Sequence, residues 1–148
     1  MKNLLDAATA EEIKQRIARL HSDSQRQWGT MSVAQAVAHL SAGMELATGD
    51  CKPPRKFIGR LIGWIIKPLL LGNDEPMRRN SSTMIAVTDE RDLNVEQERL
   101  CKLIDHFVAA GPEGCTTHPH CFFGRLTPME WAILEYKHLD HHLRQFGV

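Results

Sequence analysis

Apolar residues recur along this chain at helical spacing, in four long segments and one short, very apolar one. Ile13, Ile17 and Leu20 follow Thr9-Ala10-Glu11-Glu12, a capping residue with acids in the first turn, and predict a helix running to about His21. Ser32 with Gln35 forms a capping box ahead of Val33, Ala36, Val37, Leu40, Met44 and Ala47, a stripe that ends near Gly49. Leu100, Leu103, Ile104 and Phe107 predict a third long helix from about Asn94 to Ala110, stopped by Gly111-Pro112. Thr127-Pro128-Met129-Glu130 opens the last, with a capping box and proline in the first turn. Thr83 to Val87 is β-branched and short, and reads as an extended piece. The strands a parallel α/β fold requires are missing. An all-α bundle of four helices in one domain is the expectation, and 148 residues suffice for its core.

The segment from Phe57 to Leu71, FIGRLIGWIIKPLLL, stands apart. It is shorter than a bilayer span and contains Arg60, Lys67 and Pro68. The preferred reading is an amphipathic helix packed on the core and broken near Pro68, without membrane contact. Membrane-surface docking or a dimer contact is the alternative.

The last helix changes the picture from fold to chemistry. With His138 set at zero and roughly 100° per residue, His142 projects near 40°, Trp131 near 20° and Leu134 near −40°. Leu139, Ala132, Leu143, Tyr136 and Phe146 continue the apolar arc from about 80° to about 160°. Asp140, Arg144 and Lys137 fall opposite. His138 and His142 therefore share the apolar face at the i, i+4 spacing that lets two imidazoles grip one ion. His39 projects to the inner side of the second helix, beside Gly43. Three inward imidazoles would make an open metal site, with positions left for water or substrate. Hydrogen-bonded core histidines, or histidines lining a metal-free pocket, are the competing reading. His141, at the margin of the arc, and Glu135 are candidates for proton transfer. Gln145 is placed to hydrogen-bond a ligand from behind. His118-Pro119-His120 is a rival cluster, and His120 a candidate for the pocket mouth. His21 and His106 have no evident partner.

Composition narrows the function classes. Eighteen basic and eighteen acidic residues give a net charge of zero, which offers no footprint for nucleic acid. Arg55-Lys56 and Arg78-Arg79 read as solvated loop charge. Cys51, Cys101, Cys115 and Cys121 form no C-x-x-C pair, and the opening residues lack the apolar core of a secretory leader. A reduced, cytoplasmic setting is expected. Phosphate-cradling glycine loops and nucleophile elbows do not occur in the sequence.

MSVAQAVAHL at 31–40, FGRLTPMEW at 123–131 and YKHLDHHLRQF at 136–146 together resemble the DinB/YfiT-like superfamily, over nearly the whole chain. The resemblance implies a four-helix bundle in up-down-down-up order, with a long crossover between helices 2 and 3, matching Gly49–Leu93. It also implies a divalent metal, zinc or nickel, held by His39, His138 and His142. Characterised members include transferases and isomerases that use a low-molecular-weight thiol (bacillithiol, mycothiol or glutathione), and hydrolases; dimers are common. The functional expectation is a metal-dependent enzyme for a small-molecule substrate, with thiol-dependent S-transfer foremost. A hydrolase or a non-catalytic metal- or ligand-binding bundle is the alternative.

Overall fold

Asp6, not Thr9, starts the first helix. In a computed structural model, which describes residues 1–81 and 85–148, the Asp6 carboxylate accepts the Thr9 N–H at 3.0 Å and the Thr9 hydroxyl at 2.6 Å. Helix α1 is thereby set at Ala7–Ala18, ending short of His21. Thr9, expected to open the helix, lies instead in its first turn as the partner of the Asp6 cap, and is buried.

The next boundaries follow their capping chemistry. Helix α2 spans Val33–Thr48, with the Ser32–Gln35 capping box formed and Gly49 ending it at φ 86°, a left-handed conformation natural to glycine. Helix α4 spans Leu93–Ala110, with the Asp92 carboxylate accepting the Val95 N–H, and a 3₁₀ turn at Gly111–Gly114 follows. Helix α5 spans Pro128–Gln145 behind the Thr127–Glu130 capping box. Helices α1, α2, α4 and α5 enclose one core. It is built from Ile13, Ile17, Leu40, Met44, Leu100, Ile104, Phe107, Trp131, Leu139 and Leu143, all at most 1 % exposed. Burying each such side chain contributes roughly 1.5–3 kcal/mol before conformational entropy is counted. The class is all-α: no strand occurs among the described residues. Of the expected extended piece, Thr83 and Met84 lie outside the described residues, and Ile85–Val87 are irregular.

Helix α3, Phe57–Leu71, departs from expectation twice. It runs through Pro68 instead of breaking there, and the Gly72 N–H closes its last turn on the Pro68 carbonyl at 2.9 Å. Its end is held from outside. The Lys137 ammonium donates to the carbonyls of Leu70, Asn73 and Glu75 at 2.6, 2.7 and 2.9 Å, satisfying acceptors that a helix C-terminus leaves open. Lys137 is accordingly 5 % exposed, although the helical projection set it on the solvent side. The second departure concerns packing. Gly59, Gly63 and Leu71 are the buried positions of α3; its large apolar side chains face mostly outward.

Candidate metal centre

Helices α2 and α5 bring His39, His138 and His142 together. One ring nitrogen from each lies within 4.8 Å of the others, and Nε2 of His39 is 2.8 Å from Nε2 of His138. Gly43, one turn after His39 on α2, makes the approach possible: a Cβ there would fall 2.8 Å from His138 Nδ1. The ring centroids are 4.7 to 5.1 Å apart, all near edge-on.

Hydrogen bonds fix which nitrogens are free. His39 Nδ1 lies 2.7 Å from the Ile85 carbonyl, which only accepts, so Nδ1 carries the proton and Nε2 a lone pair. On α5, the Gln145 amide nitrogen donates to the Trp28 carbonyl at 2.6 Å, which turns its oxygen toward His142 Nδ1, 2.7 Å away. His142 must therefore donate from Nδ1 and present a lone pair at Nε2. With no ion bound, one proton on His138 Nε2 serves His39; a cation in its place satisfies three lone pairs at once.

An ion fits these residues. Three neutral imidazoles are a donor set suited to zinc or nickel. The 2.8 Å spacing is near the roughly 3.3 Å that two nitrogens adopt around one zinc. Burial keeps all three rings neutral, as ligation requires. His39 is lowered to about 3, by desolvation first and then by His138. Desolvation lowers His138 to about 4, and desolvation with the neighbouring histidines lowers His142 to about 2.

The site opens into a cavity of about 440 Å³, walled largely by apolar side chains such as Leu46, Ile66, Leu70 and Phe123, with Arg78 and Ser81 also on its lining. Glu135 lines it too, and is 3 % exposed. Its Oε2 has no hydrogen-bond partner among the described residues and lies 3.9 Å from His138 Nδ1. Desolvation pushes its pKa up to about 8. Since burial also neutralises His138, the two are a carboxylic acid beside an imidazole and not an ion pair. His120 Nδ1 accepts the backbone N–H groups of Phe122 and Phe123, each at 3.1 Å. That leaves Nε2–H as a donor, with the ring stacked on Phe123 at 4.9 Å. His141 is on the lining as well, tilted against Trp28 at 5.5 Å.

A family model described as "Protein of unknown function (DUF1569)" matches residues 1–147. The chain belongs to this family. No curated protein and no solved structure matches it.

The remaining histidines of this DUF1569 chain stand apart from the centre. His118 is outside the triad, its backbone N–H held by the Thr116 hydroxyl at 3.1 Å, and His118 and His120 belong to no group of three or more potential ligands among the described residues. His21 and His106 are exposed, and the four cysteines are unpaired thiols. Asp140 points away from the centre to Arg16, at 2.8 Å. The Ile85 carbonyl, Trp28 and Arg78, which helical projection does not reach, come from irregular segments whose placement carries no periodic signal. Gln145, expected from its place on the last helix to hydrogen-bond a ligand from behind, makes that bond to His142 Nδ1.

Proposed function

We propose that this protein is a divalent-metal-dependent enzyme, with His39, His138 and His142 as the protein ligands and a small, largely apolar molecule as substrate. The observation that carries the reading is the tautomer pattern. Two imidazoles are locked with Nδ1–H on an acceptor behind them and Nε2 pointing inward, the arrangement by which partners behind the ligands orient a metal-binding histidine. The resemblance of the α2 and α5 motifs to the DinB/YfiT-like superfamily, with its four-helix bundle, supports the same ligand set and favours thiol-dependent S-transfer in a cytoplasmic setting.

A bound zinc or nickel ion would supply Lewis acidity, lowering the pKa of a thiol or water that reaches it. The chain's own groups would do the rest. Glu135 carries a removable proton near neutral pH and sits beside His138, so it can give or take one at the reacting group. The His120 Nε2–H can donate to a developing negative charge, because its Nδ1 is committed to backbone. His141, less deeply set, can contact the substrate. Leu46, Ile66, Leu70 and Phe123 exclude water and hold the apolar body.

The test uses protein purified without a histidine tag. About one metal equivalent per chain is expected, lost in His39→Ala, His138→Ala and His142→Ala; full occupancy in these variants would overturn the ligand set. Loaded protein is then assayed with low-molecular-weight thiols plus electrophiles, and separately with esters and amides. Turnover that requires thiol supports transfer; turnover without it assigns a hydrolase; none in either arm, with metal bound, leaves a binding protein.

A further inference from the structure

Helix α3 is amphipathic with its bulk turned outward. Gly59 and Gly63 let its backbone lie directly on the Phe122 main chain: a Cβ at either would come within 2.6 and 2.3 Å of the Phe122 carbonyl oxygen. The opposite face presents Phe57, Ile58, Leu61, Trp64, Ile65 and Leu69, with Phe57, Trp64 and Leu69 exposed to 76, 71 and 67 %. These six project within an arc of roughly 140°. Water-exposed apolar side chains in such continuity mark an interaction surface.

Charge identifies what covers it. From Cys51 to Asn73 the chain contains Lys52, Arg55, Lys56, Arg60 and Lys67, and no acid. Lys67 is bridged to Glu130 at 2.8 Å. Lys52, ahead of α3 in the chain, and Arg60, on one flank of the apolar arc, are exposed. We propose that α3 docks the protein on an anionic phospholipid bilayer surface. The helix lies in the interface with Phe57, Leu61, Trp64 and Leu69 among the acyl chains, and Lys52 and Arg60 reach the headgroup phosphates. A second copy seated here would bring the same cations and no acid from this segment, and so would offer the basic flank no counter-charge. An anionic bilayer satisfies both the apolar arc and its basic flank. Docking is peripheral: no helix among the described residues is long and apolar enough to cross a membrane. The inner face of α3 supplies Ile66 and Leu70 to the cavity, so one helix joins the docking face to the cavity wall.

The test is co-sedimentation of the full chain with phosphatidylserine–phosphatidylcholine vesicles and with pure phosphatidylcholine vesicles. Binding to the anionic vesicles alone is expected, weakened by salt, with a blue shift of tryptophan emission. Arg60→Glu should lower partitioning about tenfold or more, and Trp64→Asp should abolish it, with helix content by circular dichroism unchanged. No binding to anionic vesicles, or equal binding to both kinds, overturns the proposal. So does a dimer in sedimentation equilibrium that Trp64→Asp dissociates, which would make a second copy the occupant.

Discussion

Gly43 and His138 face each other across α2 and α5 so closely that a Cβ at residue 43 would stand 2.8 Å from His138 Nδ1 and 3.1 Å from Glu135 Oε2. Alanine there improves helix propensity by up to about 1 kcal/mol, yet it must push His138 out of place. Gly43→Ala is therefore expected to melt within a few degrees of the wild type and to bind zinc at least about tenfold more weakly. Paired thermal melts and calorimetric zinc titrations check this. Unchanged affinity would mean that the position of His138 is immaterial to the site.

Gln145 holds two groups at once, accepting from His142 Nδ1 and donating to the Trp28 carbonyl. Gln145→Leu removes both bonds and frees the His142 ring to rotate. Zinc affinity should fall about 10- to 100-fold, less than in His142→Ala, because the ligand remains but its orientation does not. Gln145→Glu keeps an acceptor for His142 but opposes an oxygen to the Trp28 carbonyl. It should retain more affinity than the leucine variant at lower stability; the reverse order would show that the amide only fills space.

Helical projection located His39, His138 and His142 because their inward direction depends on local geometry alone, and the capping boxes at Ser32 and Thr127 are likewise local. What it missed depends on chain segments far apart in sequence. Lys137 lies opposite the histidines on the wheel, but the end of α3 folds over it and makes it a buried donor. The outward face of α3 was hidden for a related reason: composition reports that a segment is apolar, while the glycines at 59 and 63 decide which side packs. Pro68 reads as a breaker, yet three more residues stay helical, and the Lys137 ammonium from α5 donates to the Leu70, Asn73 and Glu75 carbonyls beyond it. The Ile85 carbonyl that fixes His39 is a backbone group, so no side-chain pattern announces it.

Lys137 gives a stability test. Its ammonium is buried against the Leu70, Asn73 and Glu75 carbonyls, and burial lowers its pKa. Lys137→Met keeps most of the apolar stem and removes every donor, leaving carbonyls without a partner. Urea unfolding should show a loss of about 2 kcal/mol or more. Lys137→Ala should be no better. A methionine variant as stable as the wild type would mean that packing, and not the ammonium, secures the end of α3.

His120 sets a pH dependence whose sign can be worked out. Its pKa falls from 6.5 to about 4, through burial first, with smaller electrostatic contributions from His138 and Arg55. The unfolded chain therefore binds a proton that the folded chain refuses. The resulting stability is fully present above about pH 6.5 and is lost as pH falls toward 4, amounting to on the order of 3 kcal/mol across the whole window. His120→Asn retains an acceptor for the Phe122 and Phe123 N–H groups but cannot be protonated there. With metal chelated, urea unfolding from pH 7 down to pH 5 should cost the wild type about 2 kcal/mol more than this variant. Parallel curves would mean that His120 titrates as a solvent-exposed imidazole does, and its assignment as a neutral Nε2–H donor in the cavity would fail with it.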